Sequence, residues 1–185
     1  MQRTDASKAY RLLEAGPIVL VTTAHQGRRN IMTMGFHMMI QHDPPLIGCV
    51  IGPWDHSYAA LTAMGECVIA IPTVDLAKKM VDIGNCSGSE GDKFARFKLT
   101  AIQAAEISAP LIAECVANIE CRVADTSMVK KYNLFILEAV AIWVDRERKE
   151  RRTLHHNGDG TFAVDDRILD LRERMVRWKA FQVAL

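Results

Sequence analysis

No stretch of this chain stays apolar for the ~20 residues that a membrane-spanning helix needs. The most apolar segments, residues 45–53 and 67–72, fall well short of that length. Arg3, Asp5, Lys8 and Arg11 precede any apolar run, which argues against a secretory signal, where a basic start leads into a long apolar stretch. Neither sign of charge is in excess. The 23 Lys and Arg against 22 Asp and Glu leave a formal charge of +1, so no overall field draws the chain to nucleic acid or to an anionic membrane. The five cysteines (Cys49, Cys67, Cys86, Cys115 and Cys121) are odd in number and lack any CxxC spacing. That counts against a zinc or dithiol site and predicts reduced thiols in a cytoplasmic protein. Familiar catalytic frames are missing too: there is no GxSxG, no HExxH and no i,i+4 pair among the six histidines. His155 and His156 are adjacent, so on a strand they point to opposite faces and do not chelate together.

What is present is an ordinary globular composition, 49% hydrophobic and 24% charged. A chain of 185 residues with this balance predicts one domain over 1–185 with a single sizeable core, and not a disordered segment. Residues 6–15 have helical spacing and are closed by Gly16-Pro17. A β-branched run at 18–23, a turn around Gly27 and a second apolar run at 30–40 read as a hairpin. Further strands are expected at 46–51, 66–72, 114–125 and 132–144, the last two pairing antiparallel. Short helices are expected at 57–64 with Ser57 as N-cap, after Thr73 with Leu76, Met80 and Ile83 on one face, and at 92–97. Asn157-Gly158-Asp159-Gly160 is a hairpin turn between 153–156 and 161–164. The tail from 168 to 181 is helical in pattern, with Asp170/Arg174 and Glu173/Arg177 as i,i+4 pairs. Strands dominate without βαβ alternation, so the fold class is mainly β: an antiparallel barrel with helical insertions.

Three segments could carry chemistry. The loop 84–91 holds three glycines and can turn several backbone N–H groups towards an anion, with Lys93 just beyond it near a helix start. It is neither a P-loop nor a GxGxxG fingerprint, and alone it reads first as a flexible Gly/Ser connection. Asn30, Met32, Thr33, Met34, Gly35 and Phe36 set polar groups beside soft apolar ones, which suits a flat heteroaromatic ring with polar edges, although in isolation the segment reads first as an ordinary core strand. Residues 52–58 end a strand and begin a helix with hydroxyls at its start. Met32, Met34 and Met38 share parity, so one strand face is expected to bury them as core filling.

Over roughly residues 15–144 the chain resembles the flavin reductase-like family of FMN-binding split barrels, most closely its flavoredoxin-like branch. The residues that carry the resemblance run in order: 17–23, Asn30-Ile31-Met32-Thr33, Asp43-Pro44-Pro45-Leu46, Gly52-Pro53 and 66–73. Ser87-Gly88 with Asp92-Lys93-Phe94, then 109–112 and 118–123, complete the series. The resemblance implies a Greek-key split barrel that forms a homodimer, with residues 145–185 as a C-terminal hairpin and helix extension. It also implies that 30–35 line the isoalloxazine and ribityl chain, with Phe36 and Gly52 nearby. His56, Ser57, Tyr58, Ser87, Gly88, Lys93 and Phe94 would surround the phosphate. The sequence departs from the family at Met34-Gly35-Phe36-His37, where a small residue followed by Trp or Tyr is common.

The expected activity is an NAD(P)H:flavin reductase, in which NADH or NADPH gives a hydride to flavin N5 and FMN is preferred to FAD. The cofactors contain the reactive groups, so the protein needs mainly to stack two rings and exclude water. His37 is a candidate donor near the reduced ring. A non-catalytic flavoredoxin-like electron carrier that docks a redox partner is the alternative. A dimeric module with a decayed flavin site is the third.

Overall fold

The computed structural model describes residues 2–8, 16–157, 160–168 and 171. In chain order the strands are β1 (Gln2–Thr4), β2 (Val19–His25), β3 (Arg28–Met34), β4 (His37–Gln41), β5 (Leu46–Val50) and β6 (Glu66–Ile71). They continue with β7 (Ala101–Ile102), β8 (Leu111–Ile112), β9 (Ala117–Asp125), β10 (Leu134–Val144), β11 (Leu154–His156) and β12 (Phe162–Val164). Among the described residues four α-helices intervene: α1 (Ser57–Met64), α2 (Ala77–Gly84), α3 (Lys93–Arg96) and α4 (Val129–Tyr132). The helix expected over 6–15 is described only as a 3₁₀ turn at Ala6–Lys8, and the rest of it lies outside the described residues. Most of the helix expected over 168–181 lies outside them too.

The main sheet runs β3-β2-β6-β9-β10-β5-β4, every neighbour antiparallel, with β1 sharing the β5 edge of the long β10. β2 and β3 are joined by Gln26 and Gly27 at φ 50° and 72°. Two left-handed residues between paired strands form the hairpin turn whose twist matches its flanks. The outermost strands of the sheet, β3 and β4, are successive parts of one stretch, broken at Gly35-Phe36. The barrel therefore closes through the chain itself, and it splits where that stretch bends from β2 to β5. This break overturns the parity expectation for the methionines. Met34 is buried, but Met38 is 54% exposed because the count of alternate faces restarts after Phe36.

β2 and β6 are buried on both faces. Val19, Val21, Cys67, Ile69 and Ile71 point into the barrel with Ile119, Cys121, Phe135 and Leu137. Leu20, Val68 and Ala70 point outward under α2 and the segment 99–116, against Met80, Ile83, Leu111 and Ile112. α1 closes the barrel with Leu61 and ends at Gly65, whose left-handed φ of 67° lets its N–H return to the Leu61 carbonyl at 2.9 Å. Two buried polar side chains hold the segment outside β9. Asn118 pairs with both backbone groups of Ile112. The Glu120 carboxylate accepts from Ala105 N at 3.0 Å, Glu106 N at 2.7 Å and Trp143 Nε1 at 2.6 Å. All five cysteines are free thiols, and burial raises the pKa values of Cys49, Cys115 and Cys121, which keeps them protonated.

Candidate functional site

Two adjoining cavities lie along β3. The larger, about 460 Å³, is lined by Met32, Thr33, Met34, Gly35 and Phe36, by Ile18, Val50, Met80 and Val81, and by His156 and Phe162 of the β11–β12 hairpin. The smaller, about 310 Å³, is lined by Asn30, His56, Ser87, Gly88 and Lys93, and by 83–86 at the end of α2. Met32, Thr33, Trp54 and Asp55 belong to both, so they form one space with an apolar end and a polar end. Thr33 Oγ1 donates to the Met80 carbonyl at 2.6 Å and fixes α2 against β3. Asp55 accepts from Gly52 N at 2.9 Å, and the exposed Trp54 ring lies so close over Gly52 that a Cβ there would fall on the indole.

Lys93 is the unusual residue of the polar end. Its side chain is buried, and Nζ donates to the Ile83 carbonyl at 3.0 Å. Among the described residues no carboxylate pairs with it, which leaves two N–H donors of a buried ammonium unmatched. Burial lowers its pKa, and the nearby Cys86 and Glu90 pull the other way. The Oδ1 of Asn30 is likewise buried without a partner, its amide nitrogen being held by Ser57 Oγ at 2.9 Å. Gly88 passes against this pair of walls, and a Cβ there would collide with Asn30 Oδ1 and the His56 ring. A buried cation, an unmatched carbonyl oxygen and a glycine cradle together suit a ligand that carries an anion and hydroxyl groups. Apolar residues at the other end suit a flat ring.

Asn30, Met32, Thr33, Met34, Gly35, Phe36, His56, Ser87, Gly88 and Lys93 all line this space. Gly52 lies beneath Trp54 at its edge. Ser57, Tyr58 and Phe94 are placed elsewhere. The Ser57 hydroxyl turns inward to Thr23 and Asn30, so α1 has no side-chain cap from it. Tyr58 meets Phe135 edge-on at 5.9 Å in the barrel interior. Phe94 is buried in the outer core, with the Arg29 guanidinium 4.7 Å from its ring centre. The start of α3 is not free for an anion either, because Asp92 caps it through Phe94 N at 2.8 Å. His37 bonds the Pro17 carbonyl at 2.6 Å and is not among the cavity residues; burial lowers its pKa. Sequence reasoning missed Trp54, Asp55, Met80, His156 and Phe162. Trp54 and Asp55 stood in a segment already singled out, whereas the hairpin reaches the cavity from over a hundred residues along the chain, which no local pattern signals.

An antiparallel barrel that splits at one bent strand and carries a two-ended cavity along it is a flavin reductase-like split barrel. Residues 11–162 match the family model described as flavin reductase like domain, and the chain belongs to this family. It is 31% identical over 113 residues to an uncharacterized protein of Archaeoglobus fulgidus, covering 61% of this chain and 64% of that protein's length. It is 30% identical over 170 residues to the uncharacterized protein YddH of Escherichia coli, covering 84% of this chain and 90% of that one. Its fold matches the FMN-binding domain of a flavin reductases-like enzyme from Shewanella baltica with a TM-score of 0.84 at 24% identity, over 91% of this chain and 96% of that one.

Proposed function

We propose that the cavity along β3 holds FMN and that the chain is an NAD(P)H:flavin reductase, taking a hydride from NADH or NADPH. The observation that carries this reading is the buried, unmatched ammonium of Lys93 at the end of a cavity whose other end is apolar. Lys93 and the Ser87-Gly88 backbone hold the phosphate, and the orphan Oδ1 of Asn30 accepts from a ribityl hydroxyl. Met32, Thr33, Met34, Gly35 and Phe36 line the ring, and Met80, Val81 and Phe162 exclude water around it. When bound, the flavin supplies a two-electron acceptor at N5, so the chain's own task is to orient and to shield. The FMN-binding Shewanella baltica domain of the same fold supports the choice of mononucleotide.

The chain also forms a homodimer on this reading. Phe36, Met38 and Ile40 are 74%, 54% and 47% exposed along the outward side of the split, a patch that a second copy would cover. The test is an absorbance spectrum of purified protein with FMN, followed by anaerobic addition of NADH and of NADPH. Flavin bands that bleach with either donor are expected and identify it. Bound flavin that stays oxidised would favour the electron-carrier reading, and no bound flavin would overturn both.

A further inference from the structure

Four of the five thiols are sealed inside the two cores, and the fifth is not. Cys49, Cys67, Cys115 and Cys121 are fully buried, whereas Cys86 is half-buried in the wall of the polar cavity. Buried thiols are inert, so Cys86 is the one that a solute can reach. Its Sγ donates to the Ile83 carbonyl at 3.6 Å, the same oxygen that receives Lys93 Nζ at 3.0 Å. Thiol and ammonium therefore stand side by side, close enough for charge on one to act on the other. The turn beyond Cys86 is fixed by its own bonds, with Glu90 accepting from Ser87 N at 2.8 Å and Ser87 Oγ from Ser89 N at 3.2 Å. The Glu90 carboxylate is also taken up by Arg96 at 3.3 Å and does not pair with Lys93.

Two buried groups around Cys86 lack partners. Lys93 is 4% exposed with two N–H donors unmatched, and Asn30, 6% exposed, has its Oδ1 without a donor. Oxidation of Cys86 would put a negative charge where the ammonium lacks one. We propose that Cys86 is a site of oxidative modification that controls this cavity: its sulfinate pairs with Lys93 and takes the place of the flavin phosphate. The inference rests on the flavin reading above. The oxidant is hydrogen peroxide. The Cys86 sulfur attacks one peroxide oxygen, the S–O bond forms as the O–O bond breaks, and the thiol proton leaves with the second oxygen as water. Sulfur gives up two electrons and the peroxide takes them. A second peroxide repeats the exchange and releases another water, and the sulfinic acid loses its proton to solvent to leave an anion. The ammonium then has its counter-ion, and an incoming phosphate meets a like charge. A phosphate already on Lys93 shields the thiol in turn.

The experiment titrates FMN and riboflavin into wild type and Cys86→Ser, each with and without prior hydrogen peroxide, and follows flavin fluorescence. Mass spectrometry reads the oxygen added to the peptide that carries Cys86. In wild type peroxide should add two oxygens there and weaken FMN by about tenfold or more, the loss of one charge-assisted phosphate contact. Riboflavin, which has no phosphate, should lose far less. Each protein is compared with its own untreated form, and FMN affinity of Cys86→Ser should not change on treatment. Saturating FMN should slow oxidation of Cys86 more than riboflavin does. No oxygen added at Cys86, an oxidised Cys86 with FMN affinity unchanged, equal losses for the two flavins, or the same loss in Cys86→Ser would each overturn the proposal and leave the flavin reading standing. Untreated wild type that binds neither flavin would overturn the flavin reading and this proposal with it.

Discussion

A buried ammonium that has only the Ile83 carbonyl as partner among the described residues is costly unless something anionic completes it, so on the proposed reading the largest single-residue effect on FMN binding is expected at Lys93. Lys93→Ala should weaken FMN by about 1.5–3 kcal/mol and riboflavin far less, because riboflavin lacks the phosphate. Equal losses in parallel titrations would remove Lys93 from the phosphate. The same residue sets a pH dependence. Its pKa is lowered by burial in the free protein, and a phosphate beside it would raise it again. Below both values Lys93 is protonated throughout and FMN affinity is full. Between them binding must take up a proton, so affinity falls as pH rises, and above both the contribution is gone. FMN affinity measured upward from about pH 7 should therefore decline on the alkaline side relative to riboflavin, and a flat ratio would count against the contact. Residue types alone singled out Asn30, Gly88 and Lys93, and the fold brings them together in the wall of one cavity. Ser57, Tyr58 and Phe94 do not line it, because the direction of a side chain at a helix start depends on what lies behind the helix. There the Ser57 hydroxyl meets Thr23 and Asn30 inside the barrel.

Most strands and the α1 helix were legible as elements because alternation and turn residues are local signals. The break between β3 and β4 was not. A run of apolar residues across 30–40 looks continuous, and only the demand that one stretch pair with β2 at one end and β5 at the other bends it at Gly35-Phe36. Gly35 suits that bend, since the Ile18 Cδ1 lies 3.0 Å from where its Cβ would be. The two-residue strands β7 and β8 were also missed, being too short to show any period. With Asn118, what holds their segment is Glu120, buried in β9 and receiving three N–H donors from two places, the adjacent amides of Ala105 and Glu106 and the Trp143 indole. Glu120→Ala should strand those donors and cost on the order of 3 kcal/mol, read as a lower urea midpoint. Trp143 emission should shift in the folded variant, as its indole N–H loses its acceptor. A midpoint within error of wild type would mean the segment is held without Glu120, by Asn118 and its apolar contacts.

Across the whole molecule, the outward side of the split is where the proposed cofactor site and the proposed dimer would meet. Met38 stands opposite Gly48 and, beyond it, Ile136, and Ile40 packs over Gly48 with its Cδ1 3.1 Å from where a Cβ would be. Phe36 begins this surface and also lines the apolar cavity, as does the exposed Trp54. A second copy laid on this face would bury those rings and close the open side of the cavity, where water would otherwise reach the reacting edge. Met38 does not line the cavity, so it separates the two effects. Met38→Glu places a charge in the apolar contact and should convert the dimer to monomer by light scattering, with no loss of folded signal by circular dichroism. If the partner completes the site, flavin affinity should fall in the same variant even though no cavity residue was changed. A monomer that still binds flavin as tightly as wild type would show that each barrel holds its cofactor unaided. A wild-type protein that is monomeric at micromolar concentration would remove the dimer altogether and leave the apolar face without its proposed cover.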